Sequence, residues 1–360
     1  MQQIATSGLG ERHNVIACAG GERTIVEARP VPEPGPGEIL LRLRVVGFCG
    51  TDLFKLKTGS AARGAVLGHE LVGSVTAMGR GVTGFSIGDR VVVPHHVPCG
   101  TCIYCLRGNE TMCQVFKENL MEPGGFADTI LIRRRAVEQA ARKIPESMSD
   151  EAAVFMEPAA CVLRGIRRSG LTGEGVALVL GSGSMGLLHL LVLKAVAPKI
   201  EVVMVDLDDD RLKFARKLGA ARTVKPGEQT ATAVLSLTKG AGVDAVFDTV
   251  GGEKALTSGL ALTRRGGSVV LFAHAPEGQL AALDLNTLFK TERRIVATYS
   301  GALDEQREIF AHLVDGSLDP SPLVTHTMPL DDFERGVSLV VERKALKVLF
   351  TPSRSAAAEQ

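Results

Sequence analysis

The chain has no tryptophan, and aromatic residues make up only 4% of its 360 positions. That scarcity argues against the stacking platforms that grip single-stranded nucleic acid. Neither sign of charge dominates: 41 basic residues face 40 acidic ones, for a formal net charge of +1. Bulk electrostatics therefore gives no help to binding nucleic acid or a membrane surface. There is no internal repeat and no low-complexity segment. Met1 to Asn14 lacks the basic start and apolar run of a secretory signal. The longest apolar stretch, Val176 to Ala197, is long enough to span a bilayer. Three glycines, two serines, His189 and Lys194 interrupt it, so it reads as strand, turn and buried helix. The expectation is a soluble cytoplasmic protein with no nucleic-acid or membrane partner.

What is present suits an ordinary globular protein, with 45% hydrophobic and 22% charged residues, in a chain long enough for two domains. The first half reads as strands and turns. Pro30 to Gly37 is a connector that cannot be helix, and Glu38–Val46, Leu71–Thr76 and Arg90–Val93 read as strands between glycine turns. A barrel-like β domain is expected there. From about residue 170 strands and helices alternate. Strands are expected at Val176–Leu180, Val202–Val205, Arg222–Val224, Asp244–Asp248, Ser268–Phe272 and Ile295–Thr298. Helices are expected from Met185 to about Ala197 and over Asp208–Leu218, the latter stopped by Gly219. This alternation implies a parallel sheet covered by helices, an α/β fold. Another helix is expected around Asp304–Val314, and Ser353–Gln360 reads as a frayed tail.

Three constellations carry chemistry. Cys99, Cys102, Cys105 and Cys113 are spaced so that one loop can wrap a tetrahedral ion, and four thiolates give Zn²⁺ a closed, structural site. In a reducing compartment, metal ligation is favoured over disulfides, which leaves Cys18 and Cys161 as packing residues. Gly181, Gly183 and Gly186, with Ser184 and Met185 between them, form a turn that follows a strand and opens a helix. That context lets helix N–H groups meet a pyrophosphate. Asp206, at the end of the next strand, can accept bonds from ribose hydroxyls and repel a 2′-phosphate, which favours NAD over NADP. Arg211 joins these residues as a cofactor-binding candidate. Upstream, Cys49, Thr51 and Asp52 precede His69-Glu70, and Glu157 lies in Met156-Glu157-Pro158. A thiolate, an imidazole and a carboxylate leave zinc one open position, and Asp52 is available to orient the imidazole.

Together with Gly88-Asp89-Arg90-Val91, these motifs make the chain resemble the zinc-containing medium-chain dehydrogenase/reductase superfamily over almost its whole length. The resemblance implies a GroES-like catalytic domain over residues 1–165 and 300–360, with a Rossmann cofactor domain over 166–299. It implies Cys49, His69 and Glu157 as ligands of a catalytic zinc, with Glu70 as a transient ligand or supporting contact, and a second, structural zinc per subunit. A glutamate as third ligand is similar to the polyol and threonine dehydrogenase branches. The family usually forms homodimers or homotetramers. Two departures stand out. Phe54 occupies the place of a proton-relay histidine, and Thr298 stands where sorbitol-type enzymes tend to have arginine before the tyrosine that is here Tyr299.

The chemistry implied is NAD(H)-linked interconversion of a secondary alcohol and its ketone, with Thr51 accepting the hydroxyl proton. Polyol, cyclitol or sugar-derived alcohols are expected first, with Phe116 as a pocket wall. L-threonine and simple secondary alcohols are the alternatives, and a non-catalytic NAD- and zinc-binding module is the reading from another class.

Overall fold

The computed structural model describes residues 11–357, and the first part of the Met1–Asn14 reading lies outside them. The chain divides into two compact units. One comprises the residues up to Cys99, Gln114–Val154 and those from Val324 onward; the other comprises Gly100–Cys113 and Phe155–Leu323. Among the described residues, no helix is long and apolar enough to cross a membrane.

The first unit is β-rich. Its eight-stranded sheet runs through Val324–Pro329, Lys347–Thr351, Ile39–Gly47, Glu70–Met78, Arg90–Val93 and Arg142–Lys143. Thr129–Ile132 also pairs with Ile39–Gly47. All pairings are antiparallel except that of Val324–Pro329 with Lys347–Thr351. The strand Lys347–Thr351 lies against Ile39–Gly47, with Leu349 opposite Gly47, and so the end of the chain joins its beginning in one sheet. Phe48, Phe126, Phe333 and Phe350 pack together, with ring centroids 4.8–6.1 Å apart. A fold with few aromatics concentrates four of them here, each carrying a large apolar surface into one spot.

One helix was not anticipated and one local expectation is corrected. Gly50–Thr58 is a helix, capped by Cys49 and closed by Gly59 in the left-handed region. The N-cap is a cysteine, not one of the usual serine, threonine or aspartate signals, and so it was read only as a ligand. The tail is not frayed over the described residues. Ser353 is buried, its N–H and hydroxyl both donate to Asp128, and Arg354–Ala357 is helical.

The second unit holds a six-stranded parallel sheet. Its order is Arg222–Val224, Lys199–Val205, Glu174–Leu180, Val243–Asp248, Thr263–Leu271 and Arg294–Ala297. In order of sequence this is the 3-2-1-4-5-6 arrangement of a dinucleotide-binding fold, with its reversal beside the first strand. Val176, Leu178, Val203, Val246 and Val269 form a dry centre, each at most 7% exposed. Strands so apolar on both faces need helix cover, which explains their continuous hydrophobic runs. The helix Ser184–Val196 begins where the first strand ends.

Candidate active site

Cys49 is held by the helix it caps. The Thr51 N–H donates to its Sγ at 3.5 Å, while the Cys49 N–H donates to Asp52 Oδ2 at 3.1 Å, completing a capping box. The other Asp52 oxygen accepts from the Gly68 N–H at 3.2 Å and lies 3.4 Å from His69 Nδ1. One fully buried carboxylate therefore ties the cysteine loop to the histidine loop. Burial raises the Asp52 pKa, but His69 and these hydrogen bonds bring it below the usual value. Burial likewise pushes His69 down, and Asp52 and Cys49 together hold it well above its ordinary value. Gly68 is at φ +85°, and a Cβ there would fall 2.8 Å from Phe126 N, so the aromatic cluster fixes the backbone just before His69.

Donor atoms of Cys49, His69 and Glu70 lie within 4.8 Å of one another. A thiolate, an imidazole and a carboxylate that converge in a buried place suit zinc. Glu70 Oε2 accepts from Lys347 Nζ at 2.6 Å, with the two side chains 0% and 3% exposed. Burial opposes the Lys347 charge, yet Glu70 and Cys49 raise its pKa above the usual lysine value. Glu157 belongs to the second unit, on the first turn of Met156–Ser169. It is 7% exposed, and its Oε1 accepts from Cys161 Sγ at 3.5 Å, so Cys161 faces a carboxylate rather than only packing.

Two residues escaped the sequence reading. The His95 ring stacks 4.4 Å from His69, His96 lies 3.6 Å from His95, and Phe116 lies 5.0 Å from His96. Burial, then His69, pushes His95 well below its usual pKa and His96 down to about 3. The only signal in the sequence was a His-His pair just before the cysteine loop. Phe116 is fully buried behind them, while Phe54 is 40% exposed.

Cys99, Cys102, Cys105 and Cys113 also have their sulfurs within 4.8 Å of one another, none is in a disulfide, and Cys102 and Cys105 are 3.5 Å apart. Thiolates about 2.3 Å from one tetrahedral ion would be about 3.8 Å apart, so this loop has the dimensions of a closed zinc site. The Cys105 backbone N–H, first among several hydrogen bonds, lowers the Cys102 pKa.

In the second unit the glycine turn has the shape its spacing implies. Gly181 is at φ +94°, and a Cβ on Gly186 would fall 1.9 Å from Gly181 O. A Cβ on Gly183 would meet nothing closer than Arg211 Nη1 at 3.8 Å, so the outer side of the turn is open. Ser182 and Ser184 each carry a buried hydroxyl with no hydrogen-bond partner. Open space, orphan hydroxyls and a helix N-terminus fit the phosphates of a dinucleotide. Asp206 Oδ2 accepts from the Ser182 N–H at 2.6 Å, which braces the turn from the next strand. The Met185 carbonyl accepts from His189 Nδ1. A surface cleft of about 520 Å³ between the helix Asp209–Lys217 and the strand Arg222–Val224 is not this site. Its cations are already engaged, Lys213 with Asp210, Lys225 with Asp209 and Arg216 with Thr223.

Comparison with known proteins agrees with this geometry. Residues 35–143 match the alcohol dehydrogenase GroES-like domain, and residues 185–315 match the zinc-binding dehydrogenase domain. The L-threonine 3-dehydrogenase of Idiomarina loihiensis is 31% identical over 325 residues, covering 88% of this chain and 93% of its own. Among solved structures, an alcohol dehydrogenase from Thermus sp. ATN1 is 29% identical with a TM-score of 0.84, covering 94% of this chain and 99% of its own. The 2R,3R-butanediol dehydrogenase of Bacillus subtilis is 26% identical with a TM-score of 0.83, covering 95% and 100%. With its converging zinc donors, its parallel cofactor-binding sheet and these relatives, the chain belongs to the zinc-containing medium-chain dehydrogenase/reductase superfamily and is a zinc-dependent, NAD(P)-linked alcohol or polyol dehydrogenase.

Proposed function

We propose that the protein oxidises a secondary alcohol on a polyol, cyclitol or sugar-derived skeleton to the ketone, with NAD⁺ as hydride acceptor. The observation that carries this reading is a run of polar rings leading from the ligands, with His95 4.4 Å from His69 and His96 3.6 Å from His95, which suits a hydroxyl-rich substrate better than a benzylic one. The butanediol dehydrogenase likeness supports it. A zinc ion on Cys49, His69 and a glutamate would lower the pKa of the substrate hydroxyl. Glu157 is the third donor implied by the resemblance, and Glu70 the one whose oxygen joins the group.

The chain's own groups do the rest. Asp52 holds His69 with its ring oriented, and Thr51 takes the hydroxyl proton. NAD⁺ on the glycine turn would supply the hydride acceptor, taking up both electrons of the carbinol C–H bond. Phe54 carries no proton, so the cofactor ribose would be the next group for the proton Thr51 holds. Asp206 would accept from the ribose hydroxyls and disfavour a 2′-phosphate. The active form is taken to be a cytoplasmic homodimer or homotetramer, to be checked by sedimentation.

A panel of polyols, cyclitols, L-threonine and simple secondary alcohols, followed at the NADH absorbance band, tests the substrate. The highest kcat/KM on a polyhydroxylated substrate is expected. L-threonine is the second reading, supported by the 31% identity, and its dominance would displace the first.

A further inference from the structure

The carbonyl of Leu180 ends the first strand of the parallel sheet, just before the glycine turn. It accepts twice from Thr249, from its N–H at 3.1 Å and from its hydroxyl at 2.7 Å. Thr249 follows Val243–Asp248, the strand that flanks Glu174–Leu180 on the side away from Asp206. The Asp248 carboxylate, in a residue 1% exposed, fixes the chain just beyond. Its Oδ1 accepts from the Val250 and Gly251 N–H groups at 3.0 and 2.8 Å.

Two glycines of the turn make room for the Thr249 hydroxyl. A Cβ on Gly181 would fall 2.7 Å from Thr249 Oγ1, and one on Gly186 would fall 3.3 Å from it. The oxygen is therefore wedged between the start of the turn and the first turn of the helix Ser184–Val196. From the opposite strand, Val205 O accepts from the Gly181 N–H at 2.8 Å, and Asp206 accepts from the Ser182 N–H. The backbone from Leu180 to Ser182 is thus held from both sides. The N–H groups that open the helix have no intrahelical partner, and they are the ones a pyrophosphate needs in place.

We propose that Thr249 is a positioning residue for the cofactor, its hydroxyl setting the shape in which the glycine turn meets the pyrophosphate. This role rests on the reading that the turn holds the dinucleotide, and not on which alcohol is the substrate. The hydroxyl acts from behind the turn, through Leu180 and the two glycines. Its removal costs the fold little, because Leu180 O keeps the Thr249 N–H. The turn loses one of its struts, so an incoming pyrophosphate must order it on binding.

The test uses the full-length protein and calorimetric titration with NADH and with ADP-ribose, which carries the pyrophosphate without the nicotinamide. Thr249→Val keeps the shape of the side chain and removes the bond. Both ligands are expected to bind it about fivefold more weakly. Its melting temperature without ligand should stay within a few degrees of wild type. Thr249→Ser, which keeps the hydroxyl, should bind both ligands as wild type does. Where Thr249→Val does not fold, Thr249→Ala removes the hydroxyl without adding bulk and carries the same expectation. Unchanged affinities, a loss confined to NADH, or a loss that Thr249→Ser shares overturns the proposal while leaving the cofactor site intact. A wild-type chain that binds neither ligand overturns the cofactor reading of the turn and this proposal together.

Discussion

Asp52 makes three contacts with two oxygens: the Cys49 N–H, the Gly68 N–H and the His69 ring. An asparagine there offers one acceptor and no charge, so one loop loses its tether and the imidazole loses its counter-charge. Asp52→Asn should weaken zinc retention at Cys49 and His69 about 10- to 100-fold while the four-cysteine ion stays bound, as chelator titration can read. Asp206 poses a similar question on the cofactor side. Asp206→Asn keeps an acceptor for the Ser182 N–H and removes the charge that the proposal sets against a 2′-phosphate. The ratio of kcat/KM for NAD⁺ over NADP⁺ should fall, and an unchanged ratio would remove the ribose role. At this scale the sequence was readable where ligands sit close together, as in the four-cysteine loop and the glycine turn. It was silent about the pairing of Lys347 with Glu70, 277 positions apart, because only strand pairing brings them together.

The glycine-turn helix Ser184–Val196 offers two tests that separate folding from binding. Gly183→Ala adds a methyl with no protein atom within 3.8 Å, so the melting temperature should hold. NADH affinity should nevertheless fall about tenfold or more, because the methyl would stand where the proposal puts the pyrophosphate. Gly186→Ala drives a methyl to 1.9 Å from Gly181 O and should lower both, as thermal melts with and without NADH would reveal. One turn further on, the His189 ring lies against Phe247 and Phe272 with Nε2 buried and unpartnered. Burial pushes its pKa down to about 4. The unfolded chain takes up the proton near pH 6.5 and the folded one does not until about 4. Stability is therefore complete above about 6.5 and falls as the pH drops toward 4, by a total of about 3 kcal/mol. Denaturant titrations across that window should show the slope, and His189→Leu should flatten it. Parallel strands were legible as elements because burial on both faces leaves continuous apolar runs. The helix Gly50–Thr58 was not, since its cap is a cysteine and its length is nine residues.

Over the whole molecule, the proposed reaction draws on both units. The β-rich unit gathers Cys49, His69 and Glu70, and the parallel sheet presents the glycine turn. The order of motifs along the chain was enough to recognise this division of labour, while the antiparallel pairing of the final strand with Ile39–Gly47 emerged only from the fold. The central claim is that Cys49 belongs to a metal site distinct from the four-cysteine loop and indispensable for hydride transfer. Elemental analysis of purified protein, run beside an assay of NADH formation, tests it most directly. Wild type should carry about two zinc ions per chain and Cys49→Ala about one, with turnover lost in the variant. A Cys49→Ala protein that keeps both ions, or that still reduces the cofactor, would contradict the account.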